Sequence, residues 1–144
     1  MTRGGLRRLP GLVVLAALGA GCGRGKQEAS SLVAAVERFH QAENVEKADR
    51  ADRVAEVPCT AKDVCEAKAL CVAATDPTAR ALRLKAEVEK GLGDLGAKRL
   101  SPGDEAAKAL PGKLDEASRL LEEGHKALPG CDAKLLELRR GYGL

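Results

Sequence analysis

The residues with reactive side chains are five cysteines, Cys22, Cys59, Cys65, Cys71 and Cys131, and two histidines, His40 and His125. Three of the cysteines recur six residues apart in "CTAKDVCEAKALC", residues 59–71. Thiols at this density could ligate a metal, exchange electrons or form disulfides. Structural zinc sites space their cysteine pairs by two to four residues, so five intervening residues are too many. Neither histidine has a neighbour at ligand spacing, and both belong on the surface or boundary of amphipathic helices. There is no Cys-x-x-Cys redox motif and no Cys-x-x-Cys-His haem site. No Gly-rich phosphate loop or Gly-x-Ser-x-Gly elbow occurs. The acid pairs Asp104-Glu105, Asp115-Glu116 and Glu122-Glu123 read as solvated helix faces rather than acid–base machinery. No catalytic residue, metal or cofactor is expected, and the chain does not read as an enzyme.

The compartment decides what the cysteines do, and the first residues bear on the compartment. Arg3, Arg7 and Arg8 precede an apolar run from Leu9 to Ala20. That run is short of the ~20 residues a membrane-spanning helix needs. A basic segment, a short apolar segment and small residues together describe a secretory signal over residues 1–21. Its end, "LGAGC", places Ala20 and Gly21 directly before Cys22. This resembles the lipobox of bacterial lipoproteins, although Gly19 stands where Leu is commonest. In that family the cysteine thiol receives a diacylglycerol, the signal is cut just before it, and the new N-terminus is usually acylated. The resemblance implies that Cys22 is the lipidated first residue of the mature chain and holds it to a membrane. Gly23, rather than Asp, follows Cys22. In the family this favours the outer membrane, with the protein facing the periplasm.

Four cysteines then remain in an oxidising setting, an even number that reads as two disulfides. Helix geometry ranks the three connectivities. Cys65 and Cys71 in one helix lie about 9 Å apart along the axis and about 120° apart around it. A disulfide needs Cα atoms within about 7 Å. Cys59 and Cys71 are further apart still. The remaining option is Cys59 with Cys65 and Cys71 with Cys131, if the helix from Ala61 to Ala73 is unbroken.

Removing residues 1–21 takes three arginines and no acid from the 24 basic and 21 acidic residues. The rest is therefore neutral overall, which argues against nucleic acid as a partner. Phe39 and Tyr142 are the only aromatic residues, too few for stacking bases and too few for a bulky core. Covalent staples suit such a chain.

Period-two strand patterns are absent and helix signals frequent, so an all-α fold is expected: a small disulfide-stapled bundle of about five helices. Residues 22–29 read as a short linker from the lipid anchor and 30–144 as one helical domain. Residues 30–58 read as one helix with Leu32, Ala35, Val36, Phe39 and Ala42 on its inner face and a solvated, charged second half. Thr60 reads as the N-cap of the next helix, with Asp63 completing a capping box. Asp76-Pro77 reads as the start of a third helix, cored by Ala81, Leu84, Val88, Leu92 and Leu95. Ser101-Pro102 opens a fourth. The pentapeptide "KALPG" occurs at 108–112 and again at 126–130 and reads each time as a helix stop.

Residues 112–143 resemble the second helix of one tetratricopeptide repeat followed by the first helix of the next. Gly112, Leu114, Ala117, Leu121, Gly124, Pro129, Leu135, Leu138 and Tyr142 carry the likeness, and Arg139 departs from it. No second copy precedes it at the 34-residue offset, so a generic helical hairpin is the plainer expectation. The functional expectation is a membrane-anchored periplasmic lipoprotein with a non-catalytic structural or protein-interaction role and an envelope protein as partner. The alternatives are a tetratricopeptide-like adaptor for a peptide or envelope complex, and a thiol- or metal-dependent envelope sensor.

Overall fold

The computed structural model describes residues 21–144, with side chains from residue 23 onward. These residues form four long helices and one single-turn helix, without a strand. α1 spans Gly21–Gln41, α2 Asn44–Glu56, α3 Lys62–Gly96, α4 Glu105–Lys108 and α5 Leu110–Tyr142. The all-α expectation holds, but several boundaries move. The signal segment, residues 1–20, lies outside the described residues.

Residues 22–29 are not a linker: they are the first turns of α1. Gly25 is buried against the ring of Tyr142, and Ala29 has no exposed surface. The single helix expected over 30–58 breaks at residues 42–43, and its charged half is not solvated all round. The buried stripe of α1 ends at Phe39, and the next buried positions, Ala51, Val54 and Val57, follow a different phase. A break lets both faces reach one core, whereas a straight helix would leave the second in water.

The start of a new helix at Pro77 and the stop at Pro129 are both overturned. Each proline lies inside a continuous helix. Proline removes one helical hydrogen bond and costs about 3 kcal/mol. Here the freed carbonyls belong to Ala73 and His125, both at exposed positions where water can take the acceptor. The rest of the penalty is offset by packing, since α3 and α5 share the most extensive interface of the molecule. The helical hairpin expected over 112–143 is therefore absent: α5 is one helix of 33 residues. Neither "KALPG" ends a long helix. The first places Pro111 in the opening turn of α5, and the second lies within α5.

α3 and α5 run antiparallel, as the pairs Cys71–Cys131, Thr78–Gly124 and Gly91–Leu110 show. At Gly124 the helices approach so closely that a Cβ would sit 2.8 Å from the carbonyl oxygen of Ala74. α1 and α2 cover one half of this pair and close the main core around Leu32, Val36, Val54, Val64 and Cys71. The other half is an uncovered arm. Its small cluster is Ala81, Ala117 and Leu120 with Leu84 packed against it. Val88 is buried as expected, but Leu92 is 57 % exposed because no third helix reaches it.

Candidate functional site

The four cysteines of the described domain converge on the covered half in the expected pairs. Cys71 and Cys131 are bonded, with Cα atoms 4.6 Å apart, and neither has exposed surface. Along the chain Pro129 lies two residues before Cys131 and Pro77 six residues after Cys71, so the bond joins the two helices on the stretch that carries the prolines. Cys59 and Cys65 are bonded at a Cα separation of 5.2 Å. This pair is half-buried and pins the α2–α3 connection onto the first turn of α3.

Thr60 does not cap α3. Its N–H donates to Glu28 Oε2 and its Oγ1 donates to Glu28 Oε1, both at 2.7 Å. The N–H of Ala61, the residue before α3, adds a third donor at 3.2 Å, and Arg24 Nε a fourth at 3.2 Å. Asp63 likewise forms no capping box. Its Oδ1 accepts from the N–H of Val64 at 2.9 Å and from the Tyr142 hydroxyl at 3.0 Å. Glu28 is only 5 % exposed. The backbone and hydroxyl donors of Thr60, with help from Ala61 and Arg24, hold its carboxyl down at about 2 from the ordinary 4.5. Its charge also lies beside the N-terminus of α3, where the helix dipole favours an anion. Sequence reading missed this residue. The signal was an acid at a core position of α1, four residues before Leu32 and in phase with Val36 and Phe39.

Together these contacts tie α1, the α2–α3 connection, α3 and α5 at one end of the molecule. Lys26 Nζ donates to the carbonyl of Gly143 at 3.4 Å, adding a link between α1 and the end of α5. Cys22 falls at the second position of α1, but its side chain, and with it the lipidation site, lies outside the described residues. His40 and His125 are both exposed. Among the described residues, no group of three or more His, Cys, Asp or Glu gathers as a metal site. Glu116 and Glu122 have their carboxyls pulled below the ordinary range by hydrogen bonds from Arg119 and Lys126. That is opposite to the shift a general acid needs. No described helix is long and apolar enough to cross a membrane.

A surface trough of about 500 Å³ lies between α1 and α2. Ala34, Ala35 and Val57 contribute small or apolar walls, Ser30 and Ser31 hydroxyls, and Arg38, Arg50 and Arg53 guanidinium groups. The charged segment 46–53 thus supplies part of a cationic trough on one side, while Ala51 on the other side enters the core.

Compared with protein-family models, with curated proteins and with solved structures, the chain matches none.

Proposed function

We propose that the protein is a non-catalytic lipoprotein of the bacterial envelope, anchored through Cys22 to the outer membrane and facing the periplasm. Its role is structural or protein-interacting. The observation that carries this reading is the lipobox-like "LGAGC" at the end of a short basic-apolar signal. The two cysteine pairs at bonding distance support it, because disulfides persist in exported compartments. So does the tied end: α1 starts at the anchor, so the lipid would hold a rigid helix bundle close to the bilayer. More than one acyl chain makes such an anchor durable, because a single chain binds only marginally.

Two measurements test it. Fractionation of Cys22→Ser should move the protein from membrane to soluble fractions, and palmitate labelling should disappear with it. Unchanged membrane association would refute the anchor. Alkylation and intact mass should find four unlabelled cysteines before reduction and four labelled ones after. Four reactive thiols without reductant would instead support a thiol sensor.

A further inference from the structure

We infer that the trough between α1 and α2 is a docking site for an acidic peptide segment of a partner protein. This rests on the protein-interaction reading and names the chemistry of the partner.

The first observation is charge. Arg38, Arg50 and Arg53 line the central depression, and no carboxylate is among its lining residues, in a chain whose exported part is neutral overall. Arg50 and Arg53 pair with Glu46 at 3.5 Å and Glu56 at 2.8 Å on their own helix. Both pairs are solvent-exposed, and such pairs are weak enough to exchange for a better acceptor. Guanidinium groups take carboxylates in paired hydrogen bonds.

The second observation is shape. The depression continues at both ends. One neighbour shares Ser31 and reaches Arg24 and Glu28, whose carboxylate is already held by Thr60 and Ala61; the other shares Arg38 and Arg50 and reaches Ala42 and Glu46, the exposed partner of Arg50. Together they follow α1 from residue 24 to 42, about 27 Å at the helical rise. That length fits roughly eight residues of extended chain and far exceeds a single small anion. The third is the floor. Ala34, Ala35 and Val57 leave room for a backbone and small apolar side chains between the acidic ones. Both walls are rigid helices whose opposite faces are locked in the core, so the trough is preformed.

The test uses the full expressed chain and a fluorescent peptide of alternating Glu and Ala, with a Lys-Ala peptide as control. Anisotropy should report saturable binding of the Glu peptide only, weakening as salt rises. Arg38→Gln with Arg50→Gln should weaken it by at least about tenfold while circular dichroism stays unchanged, because neither side chain supports the core. Equal binding of the Lys peptide, unchanged affinity in the double variant, or no binding at all would overturn the proposal. So would inorganic phosphate filling the trough while the peptide does not bind, which would mark a small-anion site. Cys22→Ser should leave peptide binding intact. A failed anchor and a failed docking site are therefore distinguishable.

Discussion

The tied end and the bare arm are built from the same two helices, α3 and α5, yet they are held by different means. At the tied end, two further helices, two disulfides and the buried Glu28 carboxylate act within a few turns. On the arm, one small cluster, the packing of Leu110 on Gly91 and two exposed ion pairs, Lys113–Glu87 and the Arg83–Asp52 pair that reaches back to α2, do the work. Exposed ion pairs contribute about 0–1 kcal/mol. Stability should therefore be uneven, with arm amides opening at lower free energy than those of the covered half. Proline shows the same contrast. Pro77 and Pro129 both lie in mid-helix on the disulfide-bonded half, and the arm has no proline inside a long helix beyond the opening turn of α5.

The largest expected effect breaks the tied end. Replacing Cys71 and Cys131 together by Ala opens a loop of 60 residues and should cost about 4 kcal/mol by the chain-entropy estimate. Replacing Cys59 and Cys65 opens a loop of six, and the same estimate gives about 2 kcal/mol. Urea denaturation of both variants without reductant checks the order. Equal losses would mean that the long-range staple does not act through loop closure.

Two glycines sharpen the comparison next. Gly124→Ala drives a methyl into Thr78 and the Ala74 carbonyl, and overpacking of this kind costs about 2 kcal/mol. Gly93, on the arm, has nothing within 4 Å of a Cβ. Gly93→Ala should stabilise by roughly 0.5–1 kcal/mol, the helix-propensity difference. Thermal melts with opposite signs are the expected outcome; two changes of the same sign would show that the arm is packed as tightly as the covered half.

How far the sequence could be read follows the same division. The inner face of α1, the all-α class and both cysteine pairs were legible, because they depend on local periodicity and on distances within one helix. The continuity of α3 and α5 was not. Pro77 and "KALPG" carry strong local stop signals, and only the packing of two distant segments overrides them. The two copies of "KALPG" make the point: one opens α5 and the other lies inside it. Glu28 was legible in principle as an acid on an apolar stripe. Its partners, Thr60 and Ala61, lie 32 and 33 residues away, and no local pattern names them. The trough was hidden for the same reason, since Arg38 and Arg50 meet only because the chain turns back at residues 42–43.

The acid limb tests Glu28 at the tied end. Its folded pKa, about 2, lies below the ordinary 4.5. Its contribution is therefore complete above about 4.5 and lost as pH falls toward 2. Denaturation midpoints should fall across that window in the native protein and flatten in Glu28→Gln, whose amide stays neutral throughout. An identical acid limb in both would place the acid sensitivity elsewhere.

A change as small as that of Gly93→Ala is expected at the tip of the arm. Just beyond α3 and its C-cap Ala97, Lys98 has φ 58°, a left-handed conformation that disfavours a side chain. The N–H of Lys98 reaches Leu95 O at 3.1 Å and the N–H of Arg99 reaches Asp94 O at 2.9 Å. This is the two-bond closure that ends many helices, usually with Gly at the left-handed position. Gly96 is two residues too early to fill it, so Lys98 takes the strain instead. Lys98→Gly should stabilise by up to about 1 kcal/mol. Its exposed side chain forms none of those bonds, so the closure itself is kept. If the arm opens separately from the covered half, hydrogen exchange should slow around residues 94–100 with little change near Cys71. Slowing spread evenly over α3 and α5 would show instead that arm and tied end unfold as one unit.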